Sequence, residues 1–136
     1  FQHQHDSDKV PKLFAAMARV SGRTFIGDVT HNLQYANYLL DIPGLDVHLV
    51  HIVRNGHGVV FSRIREDYRS GRLTRLGWRH FRRVIRVSRH WARHVHQFTK
   101  LEKRLGERAV RVNYDHLCRH PAAALRPVGQ CLGIDF

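Results

Sequence analysis

The chain has 136 residues and a mass of 15.9 kDa, a size that corresponds to about one domain. Hydrophobic residues make up 43% of it, enough for a packed core, so the composition excludes a wholly disordered chain. Lys and Arg number 23 and Asp and Glu 11, and the resulting net charge of +12 favours anionic partners such as nucleotides, nucleic acids, acidic lipids and sulfated or phosphorylated sugars.

The first third of the sequence predicts two helices with a short strand between them. Apolar side chains at helical spacing predict helices over residues 10–20 and 30–42. Residues 23–27 form a short β-prone run and predict a strand. Residues 1–8 are polar, and we expect them to be frayed.

The remaining sequence predicts strands that alternate with helices. Residues 46–53 read D-V-H-L-V-H-I-V, a nearly continuous β-branched run typical of a buried parallel strand. Residues 73–105 have helical periodicity and form either one helix or two, since Gly77 could interrupt them. The shorter predicted elements are a helix at 59–68, a strand at 109–112, a helical turn at 114–117 and a helix at 121–132. This alternation predicts a three-layer α/β fold in which helices flank a parallel sheet.

The turn Arg54-Asn55-Gly56 is the strongest candidate for a functional site. In open α/β sheets, ligands bind beyond the carboxyl ends of the strands, and this turn lies there. The following helix offers free backbone N–H groups to an anion, Arg54 adds a guanidinium that matches phosphate geometry, and Ser62 lies eight residues further on. The alternative is a helix-capping turn with a solvated arginine.

Two segments resemble those of a known family. Residues 51–55, His-Ile-Val-Arg-Asn, followed by Ser62, resemble the 3′-phosphate-binding segment of sulfotransferases, in which a strand ends in Val-Arg-Asp or Ala-Arg-Asn and a serine follows eight residues after the arginine. Residues 110–117, Val-Arg-Val-Asn-Tyr-Asp-His-Leu, then Pro121 and the closing residues 132–136, resemble the family's late strand and helix. Both segments occur in the family's order, and the resemblance covers roughly residues 25–136.

This resemblance implies a P-loop-like three-layer α/β fold, incomplete in this chain. It implies that Arg54 and Ser62 bind the 3′-phosphate of the sulfate donor, 3′-phosphoadenosine 5′-phosphosulfate (PAPS), and that Asn55 belongs to the same cofactor-binding site. It further implies transfer of a sulfuryl group to a hydroxyl or amine of an acceptor, without a metal. Such transfer requires charge stabilisation on the leaving phosphate and a base for the acceptor proton.

The loop after the predicted strand at 23–27 carries two candidates for that base. The segment is similar to two versions of the family's acceptor-side loop: in one, Lys-Thr-His, the histidine matches His31, and in the other, Glu-Lys-Ser, the acid matches Asp28. In both comparisons Val29 replaces the family's lysine. We favour His31, with Asp28 as the rival, and expect adjacent strands to bring this loop to the sheet edge of Arg54. The alternative is that Asp28 or Thr30 merely caps the following helix.

The sequence lacks the family's Gly-rich 5′-phosphosulfate loop of the Arg-Ser-Gly-Thr type. We expect that loop to lie upstream of Phe1, and a further nucleotide-binding loop to lie beyond Phe136. The chain is therefore predicted to be a single partial domain over residues 1–136, with little transfer activity on its own.

Two other functions remain open for this basic chain: nucleic-acid binding and an inactive interaction module. Residues 63–93 are rich in arginine and include Trp78, Phe81 and Trp91, as a nucleic-acid surface would. These aromatic residues fall on the apolar stripe of the long helix, however, so we expect them in the core and no stable complex with nucleic acid. The basic face would instead be solvated or meet an acidic acceptor.

The remaining features predict no further chemistry. His90 and His94 lie four residues apart on a helix without acidic or cysteine partners, so no metal site is predicted. Cys118 and Cys131 are too few for a disulfide scaffold and are predicted to be buried free thiols. Neither a signal peptide nor an apolar run long enough to span a membrane is present, which predicts a cytoplasmic protein.

Overall fold

The computed structural model describes residues 9–74 and 76–134, and their contacts divide the chain into two compact units between Val47 and His48. The first unit contains α1 (Lys9–Ser21) and α2 (Leu33–Leu40). Both helices occur where the apolar spacing predicts them. The second begins later than predicted because Asn32 caps it, its Oδ1 accepting hydrogen bonds from the N–H groups of Gln34 and Tyr35. The prediction for residues 1–8 lies outside the described residues.

The predicted strand at residues 23–27 is wrong. Residues 22–32 contain neither helix nor strand. Phe25 is 56% exposed and Ile26 is only partly buried, so no residue of this run is fully buried. A short β-prone run becomes a strand only where a neighbour satisfies its backbone hydrogen bonds, and the sheet among the described residues has two strands, both in the second unit.

The second unit contains the strand–helix alternation that the sequence predicts. Its helices and strands are, in chain order, β1 (Leu49–Val53), α3 (Gly56–Arg69), α4 (Trp78–Leu105), a 3₁₀ turn (Gly106–Arg108), β2 (Ala109–Asn113), α5 (Tyr114–Arg119) and α6 (Pro121–Leu132). The long periodic stretch is one helix that begins directly after Gly77. No helix among the described residues is long and apolar enough to cross a membrane.

The two strands are parallel and lie between helices. Their register runs from the pair Leu49 and Ala109 to the pair Val53 and Asn113. Because side chains alternate along a strand, His51 and Arg111 point towards α4, where both contact Glu102. On the other face the core is formed by Val112 of β2 with Ala124 and Val128 of α6, joined by partly buried neighbours. The predicted three-layer arrangement of helix, parallel sheet and helix is therefore confirmed.

A buried ion pair joins α3 to α4. The Asp67 side chain is 2% exposed, and its carboxylate accepts two hydrogen bonds from the Arg83 guanidinium, at 2.6 and 3.2 Å. The hydrogen bond from Arg83 lowers the pKa of Asp67 although burial acts in the opposite direction. An acid and an arginine paired in this way fix how the two helices pack.

The prediction that Trp78 and Phe81 belong to the core is wrong, because they are 69% and 54% exposed. The buried residues of α4 are instead Val87, Phe98, Leu101 and Leu105. A helix of 28 residues is about 42 Å long, far longer than the five-residue strands it covers, so its first turn extends past the sheet.

Candidate anion-binding site

The candidate site lies where β1 ends and α3 begins. Asn55 caps α3: its side-chain Oδ1 accepts a hydrogen bond of 3.0 Å from the backbone N–H of His57. The backbone at the start of α3 also packs closely on α4, since a Cβ added to Gly56 would lie 2.9 Å from the ring of Trp91. The strand–turn–helix unit is thus present, and packing fixes the position of its turn.

Arg54 is held between two elements. The last register pair of the sheet joins Val53 to Asn113, so the next residues, Arg54 and Tyr114, lie side by side. The Arg54 guanidinium carbon is 5.2 Å from the centroid of the Tyr114 ring, within the range of a cation–π contact. On its other side Arg54 lies against Gly58, where an added Cβ would be 3.2 Å from Nε.

Arg54 and Ser62 line one cleft of about 320 Å³. The eight-residue spacing between them thus corresponds to a shared surface, which extends along α3 as far as its last residue, Arg69. We call this the Arg54 cleft; it is lined by Arg54, Val59, Ser62, Arg63, Arg65, Glu66 and Arg69. Four arginines against one glutamate give it a positive charge suited to a phosphate or sulfate group. Asn55 is not part of the lining, and its side chain instead caps the helix that carries the cleft.

A network of polar side chains joins the two strands to α4. Glu102 of α4 accepts hydrogen bonds from His51 of β1 and, at 2.6 Å, from Arg111 of β2. Burial by itself raises the pKa of Glu102, but the hydrogen bonds from Arg111 and His51 outweigh it and the pKa lies below its ordinary value. The network ties both strands to α4. Sequence reasoning missed it, although Glu102 is the only acidic residue of that helix.

The contact between Tyr114 and Arg54 is a second feature of the site that the sequence did not predict. The cap of the following helix is Asn113, whose side chain accepts a hydrogen bond of 2.9 Å from the His116 N–H, so Tyr114 does not serve as the cap. A hydrogen bond with Cys118 raises the pKa of Tyr114, while the charge of Arg54 acts in the opposite direction. The signal for its role is positional, since Tyr114 follows β2 as Arg54 follows β1.

His31 and Asp28 lie in the first unit, and both are exposed. Asp28 hydrogen-bonds Tyr35, and burial together with this bond raises the pKa of the tyrosine. Asp28 does not cap α2; Thr30 supports the cap by accepting a hydrogen bond of 3.0 Å from the Asn32 N–H. Without a strand at residues 23–27, the expectation that adjacent strands carry His31 and Arg54 to one edge loses its basis. The assignment of either residue as base stays a prediction.

The remaining candidates do not line the Arg54 cleft. Cys118 is exposed, contrary to prediction, because it lies on the outer side of the short helix α5, and Cys131 is half-buried. The rings of His90 and His94 are stacked with centroids 6.2 Å apart. Residues 9–74 and 76–134 contain no group of three or more His, Cys, Asp or Glu side chains arranged to hold a metal. A groove of about 580 Å³ in the first unit is mainly apolar and is lined by none of the predicted site residues.

Comparison with known proteins supports the interpretation of the two sequence segments. The sequence model of a family described as the sulfotransferase family matches residues 4–136. No curated protein and no solved structure matches the chain significantly. The match includes both the Arg54 cleft and the segment with His31 and Asp28.

Proposed function

The chain belongs to the sulfotransferase family, and on that premise we propose that the Arg54 cleft binds the 3′-phosphate of PAPS in an enzyme that transfers the sulfuryl group to a hydroxyl or amine. The observation that carries the proposal is that Arg54 and Ser62 line one basic cleft at the carboxyl end of a parallel strand. In α/β folds this is the place where ligands bind.

The geometry around Arg54 supports phosphate binding rather than a solvated arginine. Contact with the Tyr114 ring and with Gly58 restricts the guanidinium before a ligand arrives, so less side-chain entropy is lost on binding. The Ser62 hydroxyl can donate to a phosphate oxygen, and Arg63, Arg65 and Arg69 add positive charge around the same cleft. Asn55 contributes by fixing the first turn of α3, whose N-terminal N–H groups favour an anion.

In the proposed reaction the acceptor oxygen or nitrogen attacks the sulfur of PAPS. The bond from sulfur to the bridging phosphate oxygen breaks, 3′,5′-adenosine bisphosphate leaves with the electron pair, and a base takes the proton of the acceptor. We propose His31 for this base and keep Asp28 as the rival, since both lie on one exposed segment. The resemblance of this segment to the acceptor-side loops of the family supports the assignment.

The test measures binding of 3′,5′-adenosine bisphosphate by titration calorimetry to the unaltered protein and to R54A and S62A. Loss of a charge-assisted contact should weaken binding by about 2–3 kcal/mol for R54A, and loss of the neutral hydroxyl by about 1 kcal/mol for S62A. R119A is the matched control, because Arg119 is exposed and does not line the cleft. Unchanged affinity in R54A, or an equal loss in R119A, would contradict the proposal.

A further inference from the structure

One face of α4 is rich in basic side chains. Within its 28 residues Glu102 is the only acid, and that residue points to the sheet, where it binds Arg111 and His51. Seven exposed basic side chains follow one another at spacings of three or four residues, with one wider spacing of seven. Residues at these spacings lie on one face of a helix. We call this face the basic stripe; it consists of Arg79, Arg82, Arg86, Arg89, Arg93, Lys100 and Lys103. From Arg79 to Lys103 it is about 36 Å long.

The basic stripe lies opposite the buried side of the helix. Val87, Phe98, Leu101 and Leu105 form that buried side. Among residues 9–74 and 76–134, no acidic side chain forms an ion pair with a member of the stripe. The stripe is also separate from the Arg54 cleft, because none of its members lines that cleft. An inference about the stripe is therefore independent of the proposed nucleotide site.

Three exposed apolar side chains lie at the N-terminal end of the stripe. Leu76 is 83% exposed, Trp78 is 69% exposed and Phe81 is 54% exposed. The rings of Trp78 and Phe81 lie together, with their centroids 6.0 Å apart. Large apolar side chains clustered beside cations on a protein surface mark a place where apolar surface is buried in a complex.

We propose that the basic stripe and this apolar end dock the protein on the surface of an anionic lipid bilayer. The cations lie on one side of a single helix, where a flat array of lipid headgroups can neutralise them together. Trp78 and Phe81, whose rings lie together, then enter the boundary between headgroups and acyl chains, where aromatic and apolar side chains are stabilised. A soluble polyanion such as single-stranded nucleic acid or a sulfated polysaccharide would neutralise the arginines but offer no lipid phase for these two rings.

The test is sedimentation of the protein with vesicles of two compositions, phosphatidylcholine alone and equal amounts of phosphatidylcholine and phosphatidylserine. The stripe variant is R82Q/R86Q/R89Q/R93Q. Its matched control is R19Q/R23Q/R119Q/R126Q, which removes the same charge from exposed arginines elsewhere. We expect binding to the anionic vesicles only, a loss of about a hundredfold or more in the stripe variant, and a much smaller loss in the control.

The apolar end is tested with W78A on the same vesicles and with two soluble polyanions, heparin and a single-stranded oligonucleotide. We expect W78A to weaken vesicle binding several-fold and to leave the weak, salt-sensitive binding of the soluble polyanions unchanged. The proposal is overturned if the anionic vesicles are not bound, if the stripe variant and its control lose binding equally, or if a soluble polyanion binds more tightly than the vesicles. Circular dichroism and urea denaturation of the stripe variant should match those of the unaltered protein, which confirms that the variant is folded.

Discussion

The Arg54 cleft and the segment with His31, residues 22–32, are organised in opposite ways. In the cleft, Arg54 directly follows a strand and Ser62 lies on a helix, and Arg54 is in contact with both Tyr114 and Gly58. In residues 22–32 there is no helix or strand, and His31 and Asp28 are exposed. The contacts of this segment are local: Asn32 caps α2, and Asp28 forms a hydrogen bond with Tyr35.

The difference agrees with the two tasks proposed for these regions. A phosphate group has a fixed shape and charge, so a site arranged in advance by helices and strands binds it at the smallest loss of entropy. An acceptor varies from one enzyme to another, and irregular segments are where such variation is tolerated. We therefore expect substitutions in the Arg54 cleft to alter affinity and stability, and substitutions in residues 22–32 to alter rate.

The largest expected effect is a loss of transfer rate without a loss of nucleotide affinity, when the proposed base is removed. In a sulfate-transfer assay, H31A should lower the rate by about 10²–10⁴-fold and leave the affinity for 3′,5′-adenosine bisphosphate unchanged. D28N is the rival variant. A loss of the same size in D28N, with H31A fully active, would assign the base to Asp28 instead. If both variants retain full activity, residues 22–32 do not supply the base.

A matched pair of glycine substitutions tests how each region is packed. In G56A the new Cβ would lie 2.9 Å from the Trp91 ring, so we expect overpacking to lower the free energy of unfolding by about 1–3 kcal/mol. In G27A no heavy atom lies within 4 Å of the new Cβ, so we expect a change within about 0.5 kcal/mol. Urea denaturation measures both. Equal effects would show that the start of α3 is not constrained by α4.

The hydrogen bonds of Glu102 with His51 and Arg111 predict that the stability of the protein depends on pH. The pKa of Glu102 is lowered in the folded protein, so its contribution is present above the unfolded value of about 4.3 and is lost as the pH falls through the folded pKa. E102Q should lower the free energy of unfolding by about 1–3 kcal/mol near neutral pH. The variant and the unaltered protein should converge in strongly acidic solution, as urea midpoints at several pH values would show. A constant difference at all pH values would contradict the assignment.

A smaller effect is expected from the contacts that position Arg54. Y114L removes the ring and should weaken binding of 3′,5′-adenosine bisphosphate by about two- to fivefold, the equivalent of a partly exposed cation–π contact of about 0.5–1 kcal/mol. Y114F keeps the ring and should retain most of the affinity. G58A places a Cβ 3.2 Å from Arg54 Nε and should weaken binding to a similar extent as Y114L. Calorimetry that finds Y114F as weak as Y114L would assign the effect to the hydroxyl rather than to the ring.

Local signals in the sequence were sufficient for most of the helices and both strands. Helix α6 begins at Pro121 and ends before Gly133, as predicted, because proline favours the first turn and Gly133 adopts the left-handed conformation that ends it. The shared surface of Arg54 and Ser62 also follows from local spacing, two helical turns along α3. These features depend on residues close together in the chain, which is why a single sequence predicts them.

The features that the sequence did not predict depend on distant partners. Strand β1 begins at Leu49 rather than at residue 46 because pairing with Ala109 defines it. The contact of Tyr114 with Arg54 requires the register of the sheet, and the exposure of Trp78 requires the length of α4 relative to its neighbours. Residues 23–27 have the composition of a strand but no strand beside them.

The central claim, that the Arg54 cleft recognises the 3′-phosphate, is tested most directly by phosphorus NMR of bound 3′,5′-adenosine bisphosphate. The ligand has two phosphates with separate signals, so the experiment reports which of them contacts the guanidinium. We predict that binding shifts the 3′-phosphate signal and that R54A returns it towards its position in the free ligand, whereas R119A leaves the shift intact. A shift of the 5′-phosphate signal that R54A abolishes, with the 3′-phosphate signal unchanged throughout, would contradict the account.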